Sequence, residues 1–359
     1  MDFDLSADQL DLQAGARQLL GDWAASRRVR THIDTGDPYD SELWAAMVEQ
    51  GWCAIAVPES QGGLGLGWVE VAVLLAEVGR HTAAVPLLPT LMTIAALVDD
   101  PNQAELVERL SGAGAIGAVA WTSDDSAIVV SGDGGSVTLT GRLGPVDAVS
   151  VADVVVVVVP DGVYLVDLNA IGHPVRQPAM DLTRALSWLD LDATPATRIG
   201  DRAASQRLGA LGAVAASAEL LGGAERCLEL AVDYAKDRVQ FGQPIGSFQA
   251  VKHRCADMLV DVEGMRSVTW YGAWCVEAAD DGWAMAASTA KVWSADASKR
   301  VLSSALQVHG GIGFTWEHDL HLFIKRGQFG QRDFGDASWH RSLLARALRA
   351  QVAAGASVM

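Results

Sequence analysis

Apolar positions recur along this chain with two different periods, and the change of period marks three segments. Up to about residue 110 the spacing is helical. Ser6-Ala7-Asp8-Gln9 opens with a serine able to cap a helix, and Leu10, Ala14, Leu19 and Trp23 follow near one stripe. A glycine-rich stretch, Val57–Gly67 (VPESQGGLGLG), precedes a helical run over Val69–Arg80 that the pattern ends near Gly79. Those glycines stand in no strand–GxGxxG–helix context, so they predict a tight turn and not a phosphate loop.

From about residue 111 to 196 the period shortens. Ala127–Ser131, Ser136–Thr140, Val154–Val159 and Val163–Asp167 are β-branched runs, separated by turns such as Gly132-Asp133-Gly134-Gly135 and Pro160-Asp161-Gly162. They predict an antiparallel β-domain with hairpin connections, and the lack of an intervening helical pattern disfavours a doubly wound sheet. From about 197 onward long helices return. Arg207–Arg238 carries a stripe through Leu211, Val214, Ala218, Leu221, Leu228 and Val232, and Val251–Ala279, Trp283–His309 and Ser338–Ala354 make three more. Four such helices bury their stripes as a bundle. The expected fold class is therefore α+β, mostly α: an N-terminal helical domain (1–110), a middle antiparallel β-domain (111–196) and a C-terminal four-helix bundle (197–359).

Composition narrows the chemistry. Half of the 359 residues are hydrophobic, enough for two or three structural units. No uninterrupted apolar run of about 20 residues occurs, so no membrane span is expected. The start lacks a basic then apolar leader and reads as an amphipathic helix of the mature protein. A net charge of −17 argues against nucleic acid as a partner. It also means that any polyanionic ligand must be met by local basic groups. Cys53, Cys227, Cys255 and Cys275 form no CxxC pair or Cys/His cluster. They read as small buried hydrophobes of a cytoplasmic protein, with no metal site. There is no GxSxG motif for a serine hydrolase.

Three stretches carry a family resemblance. Arg238–Gln249 (RVQFGQPIGSFQ) resembles an R-x-x-F-G-x-x-I-x-x-F-Q turn between helices, Gln307–Asp319 (QVHGGIGFTWEHD) resembles a Q-x-x-G-G-x-G-F helix end, and Val57–Gly67 resembles a VPExxGGxG loop. Together they are similar to the acyl-CoA dehydrogenases, over nearly the whole chain and more weakly in its middle. The resemblance implies FAD as cofactor. It further implies that Arg238, Gln240, Phe241, Gln249, Gln307, Gly310 and Gly311 contact the nucleotide of a neighbouring subunit's flavin. The residue types suit that role: Arg238 offers a planar charged donor to pyrophosphate, Gln307 an amide, and the glycines a close backbone approach. The glycines equally suit a helix C-cap. His318 and His321 are usual in this helix of the family and read, with His309 and His340, as structural or surface residues.

The implied reaction is α,β-dehydrogenation of an acyl-CoA thioester, in which a carboxylate takes the α-proton and the β-hydride goes to flavin. Such a base is normally a buried glutamate of raised pKa. The family places it at one of two positions. Counted without gaps from Gly310, the first falls on Phe334, with Gly335 matching the family glycine and Arg341 the arginine seven residues on. Counted back from Phe241, the second falls on Gly212, followed by Ala213. Neither Phe334 nor Gly212 can accept a proton. Asp336 is a weak substitute, since a residue two along a helix points elsewhere. Glu219 lies roughly 10 Å along the axis from Gly212. Each reads better as a solvated or cap-like acid.

The middle segment departs too. The family's T-E-P-x-x-G-S-D stretch is reduced to Trp121-Thr122-Ser123-Asp124-Asp125, and its W-I-T stretch, which packs on the flavin ring, to Gly144-Pro145-Val146-Asp147. The resemblance is then to short bacterial subunits without a base, which pair with a complete paralogue as α2β2 heterotetramers and in several cases act on steroid side-chain CoA thioesters. On this reading the partners are a base-bearing paralogue, an acyl-CoA and an electron-transfer flavoprotein or similar acceptor. Two alternatives stand beside it. One is a self-sufficient homo-oligomeric flavoenzyme with a non-standard base, which a yellow, active preparation of the chain alone would favour. The other is a non-enzymatic scaffold or acyl-CoA-binding protein, which predicts no flavin in any assembly.

Overall fold

A computed structural model of the protein describes residues 4–24, 26–132 and 134–355, so that Asp133 of the Gly132–Gly135 turn lies outside the described residues. Helices α1 (Ala7–Trp23), α2 (Ser26–Thr35), α3 (Ser41–Glu49), α4 (Trp68–His81), α5 (Leu87–Leu97) and α6 (Ala104–Gly112) come first. Strands β1 (Gly117–Trp121), β2 (Ile128–Ser131), β3 (Ser136–Val146), β4 (Val154–Val159) and β5 (Gly162–Asp167), a short α7 (Leu168–Ile171) and β6 (Ser187–Gly200) follow. Then come α8 (Arg202–Asp237), the strands β7 (Val239–Gln240) and β8 (Gln243–Pro244), α9 (Gln249–Glu277), α10 (Trp283–His309), α11 (Leu320–Gly330) and α12 (Ala337–Ala353). The chain folds into two compact units, one from Arg27–Val71 and Ala84–Gly212, the other from the first segment to Ser26, Ala72–Ala83 and everything from Ala213.

The first of these units is built on a six-stranded sheet of order β1-β4-β5-β6-β3-β2. Its hairpins are antiparallel as expected, but β1 and β4 pair in parallel, with Gly117 opposite Val154 and Trp121 opposite Val158. The runs named from the sequence thus pair antiparallel, and the parallel pair involves β1, a strand that the pattern does not pick out. A parallel pair needs a crossover, and here the β2–β3 hairpin supplies it where a helix usually would. The six valines of β4 are all buried, the unbroken apolar run of a strand covered on both faces. Strands β3 and β6 alternate in and out. Helix α5 packs on β1 closely enough that a Cβ at Gly117 would lie 2.4 Å from the Thr93 hydroxyl, and Thr93 donates to the Ala118 carbonyl at 3.1 Å.

The other unit is helical. Ser6 caps α1 in a capping box with Gln9, but the buried face is Ala16 and Leu20, while Leu10 is exposed. The expected stripe is off because an ion pair sets the rotation: Arg17 binds the buried Glu77 carboxylate through two bonds, at 3.1 and 2.6 Å. Helix α4 continues through Gly79 to His81. Gly79 is there for packing, since a Cβ would lie 2.0 Å from the Glu219 carbonyl oxygen; Gly222 on α8 is held as tightly, 1.7 Å from the Ala76 carbonyl oxygen. The four long C-terminal helices appear near their expected bounds. An additional helix, α11, is not among those expected, and a Cβ at its Gly327 would stand 2.5 Å from Leu302. No described helix is long and apolar enough to cross a membrane.

Candidate functional site

At the end of α8 the chain reverses through a two-stranded ribbon in which Val239 faces Pro244 and Gln240 faces Gln243. The turn residues Phe241 (φ 54°) and Gly242 (φ 82°) both take positive φ, as a tight hairpin requires. The Ile245 amide donates to the Arg238 carbonyl at 2.7 Å and closes the loop. Arg238, Gln240, Phe241 and Gln249 are all exposed. Phe241 is 92% exposed, its ring edge-on to Phe248 at 6.0 Å.

The end of α10 is brought beside this ribbon. His309, buried at 3% exposure, stacks on Tyr234 of α8 with centroids 4.8 Å apart, and His318 meets the same ring edge-on at 4.4 Å. The next residue, Gly310, turns the chain at φ 63°. A Cβ at Gly310 or Gly311 would meet nothing within 4 Å, whereas Gly313 is packed on Leu306 and His309. Gln307 is exposed. The helical unit thus carries, at one end, an arginine, three glutamines and a glycine floor with no side chains standing on it. That donor set and open backbone fit the adenosine-pyrophosphate half of FAD. Val239, Phe241, Ile312, Phe314 and Trp316 add exposed apolar surface there.

The residues at the two expected base positions are apolar or absent as side chains. Phe334 is buried (4%) at φ 53°, and its carbonyl oxygen accepts a hydrogen bond from His340 Nε2 at 2.9 Å. The His340 Nδ1 lies 3.2 Å from the Ser288 hydroxyl. Burial pushes His340 down to about 4, against the opposing effect of the bond to Phe334. The same loop is tied by the fully buried Lys291, whose ammonium donates to the Gly330 carbonyl, and burial lowers it to about 8 despite the nearby Asp333 and Asp336. Gly335 has no room for a side chain, with the Trp339 ring 2.6 Å from where its Cβ would be. Asp336 is the N-cap of α12, its carboxylate accepting from the Trp339 amide at 2.8 Å. Arg341 pairs with Asp296. Gly212 sits where α8 is buried on every side, from Leu211 to Gly222. Glu219, also buried, borders a cavity of about 20 Å³ with Gly223, Ser298, Phe323, Arg326 and Gly327, room for about one water molecule.

In the sheet unit, the positions expected to face a flavin ring are occupied by the chain's own contacts. The Trp121 indole nitrogen lies 3.1 Å from where a Gly209 Cβ would be. Asp124 closes a local turn, accepting from the Ser126 amide and hydroxyl at 2.9 and 2.7 Å. At Gly144 a side chain would run into Trp188, 2.8 Å away, and the Ser187 carbonyl at 3.2 Å. Trp188 is itself capped by the Arg142 guanidinium at 4.6 Å. Asp147 is committed to a nearly buried ion pair with Arg184. In this stretch Gly144, Asp147 and Asp124 are engaged in contacts within the sheet unit, while the ribbon and glycine floor offer donors and open backbone that fit a nucleotide. Sequence reasoning missed Tyr234, Lys291, Trp188 and Arg184 and the part His340 plays at Phe334. Tyr234 and His309 lie one helical turn or less from residues it did single out, but only the fold stacks them.

Comparisons with known proteins agree in one direction. The family described as acyl-CoA dehydrogenase, N-terminal domain, matches residues 6–105, and that described as acyl-CoA dehydrogenase, C-terminal domain, matches residues 200–349. Acyl-CoA dehydrogenase IpdE2 of Mycolicibacterium smegmatis is 35% identical over 327 residues, 90% of this chain and 93% of that protein. Among solved structures, a variant of the Tcur3481–Tcur3483 steroid ACAD is 30% identical with a TM-score of 0.90, covering 96% of this chain and 99% of that one. The ChsE4–ChsE5 complex from Mycobacterium tuberculosis is 29% identical with a TM-score of 0.90, covering 97% and 99%.

Proposed function

The chain belongs to the acyl-CoA dehydrogenase family, whose members are FAD flavoproteins, and from that membership we propose that it is the base-lacking subunit of a heteromeric enzyme. The enzyme dehydrogenates an acyl-CoA thioester of the steroid side-chain class. The observation that carries the proposal is Phe334. At the expected base position this residue is buried, apolar and held through its backbone by His340, and the neighbouring carboxylate of Asp336 is engaged as a helix cap. A proton acceptor at the substrate's α-carbon then comes from a paralogue. Two similar structures are complexes or assemblies named for two chains, one of them a steroid ACAD, which supports both the pairing and the substrate class.

When bound, FAD supplies the hydride acceptor. This chain's part is to hold the cofactor's nucleotide end. Arg238 offers its guanidinium to the phosphates, where a planar fork gives paired charge-assisted bonds. Gln240, Gln249 and Gln307 supply amides, and Gly310 and Gly311 let backbone approach closely. Phe241, Phe314 and Trp316 are exposed beside them, and an apolar patch of this kind is covered by a partner. The ring face, whose usual residues are replaced here by Gly144-Pro145-Val146-Asp147 with Asp147 paired to Arg184, is left to the paralogue.

Co-expression with a base-bearing paralogue from the same genomic neighbourhood tests this. The expected product is a mixed tetramer that retains flavin and turns over steroid side-chain CoA with an artificial electron acceptor. Failure of the two chains to associate, or equal activity without the paralogue, would contradict it.

A further inference from the structure

The Tyr234–His309 stack joins the two segments that the functional reading assigns to the nucleotide. Tyr234 lies four residues before Arg238, one turn back on α8, and His309 immediately precedes Gly310. The His309 ring is not free to rotate, since Nδ1 donates to the Ala305 carbonyl at 2.8 Å. One face lies on Tyr234 with an interplanar angle of 24°, and His318 abuts it at 61°. His318 is fixed in turn, its Nδ1 accepting from the Leu320 amide at 3.1 Å. His309 Nε2 is buried and has no hydrogen-bond partner among the described residues. A buried nitrogen left in this state is unfavourable, yet the ring is held in place by the stack and the Ala305 bond.

We propose that His309 is a positioning residue: its imidazole locks the Arg238 ribbon to the Gly310–Gly311 floor, so that both present to the cofactor as one rigid surface. The proposal rests on the functional reading above. The stack contributes to affinity by removing freedom before binding, the way preorganised sites gain affinity without new ligand contacts. The bond to Ala305 sets the ring's plane, and the ring makes the link.

The test is the FAD dissociation constant of the complex with the base-bearing paralogue, deflavinated and titrated with FAD. His309→Ala and Tyr234→Ala each raise it about tenfold, and the double variant raises it by about the same factor, because the two residues act through one contact. His309→Phe, which keeps the ring, recovers most of the affinity. The turnover number at saturating FAD stays at the wild-type value in all of them. If His309→Ala does not fold, His309→Gln against His309→Phe gives the same comparison, Gln weakening FAD and Phe not. FAD affinity unchanged in His309→Ala or His309→Gln, or effects that multiply in the double variant, would overturn the inference alone. Arg238→Ala with undiminished FAD affinity, or a wild-type complex that binds no FAD, would overturn the functional reading and this inference with it.

Discussion

His340 donates from Nε2 to the carbonyl oxygen of Phe334 at 2.9 Å, so the loop at the expected base position is fixed by its backbone, whatever side chain it carries. The bond requires a proton on Nε2, and burial keeps the ring neutral by lowering His340 to about 4 against the opposing effect of that bond.

That shift makes a stability prediction. Between about pH 6.5 and 4 the unfolded chain binds a proton at this histidine and the folded one does not. Stability therefore falls as pH drops through the window, by roughly 3 kcal/mol when it is crossed in full. Urea unfolding at pH 7 and pH 4.5 should show wild type losing about 2.5 kcal/mol more than His340→Phe over that interval. Equal losses would show that the ring is not buried neutral.

Lys291 has the opposite chemistry and the same sign. Its folded value of about 8 lies below the ordinary 10.5, so from pH 8 to 10.5 the unfolded chain holds the extra proton and stability rises with pH. In Lys291→Met this rise, of roughly 3 kcal/mol, is absent. Denaturant midpoints at pH 7.5 and 10 measure it.

Gly222→Ala places a methyl 1.7 Å from the Ala76 carbonyl oxygen, with α4 and α8 unable to separate locally. The expected cost is about 3 kcal/mol, the upper range for overpacking in a close-packed interior. Gly311→Ala, with open space at its Cβ, leaves stability within about 0.5 kcal/mol, as exposed sites do. Thermal or urea unfolding of the two variants side by side gives the comparison.

Phe241→Ala separates a surface role from a core one. The side chain is 92% exposed, so its removal leaves the isolated chain's stability within about 0.5 kcal/mol. As an aromatic anchor it weakens association with the paralogue by about 2 kcal/mol or more, which sedimentation of the mixed complex reads directly.

Much of this architecture is legible in the residues. The valine run of β4, the capping serine of α1 and the four long C-terminal helices follow from period and turn chemistry. What the pattern misses are contacts between distant segments. Gly79 reads as a helix end but is a point where helices touch, as are Gly222 and Gly327. The rotation of α1 follows an Arg17–Glu77 ion pair that no hydrophobic period registers. The parallel pairing of β1 with β4 depends on a crossover by β2 and β3. At the site, Arg238, Gln307 and the glycines announce themselves by motif. The Tyr234–His309 stack and the closing of Gly144 by Trp188 depend on which segments the fold brings together.

Whether this chain dehydrogenates without a paralogue is read on the chain purified alone, by recording its visible flavin spectrum after supplying FAD and then adding an acyl-CoA without oxygen. No retained flavin and no bleaching are expected. A stoichiometric bound flavin that acyl-CoA bleaches in the homomer would contradict that expectation, and would mean that some carboxylate of this chain reaches the substrate's α-carbon.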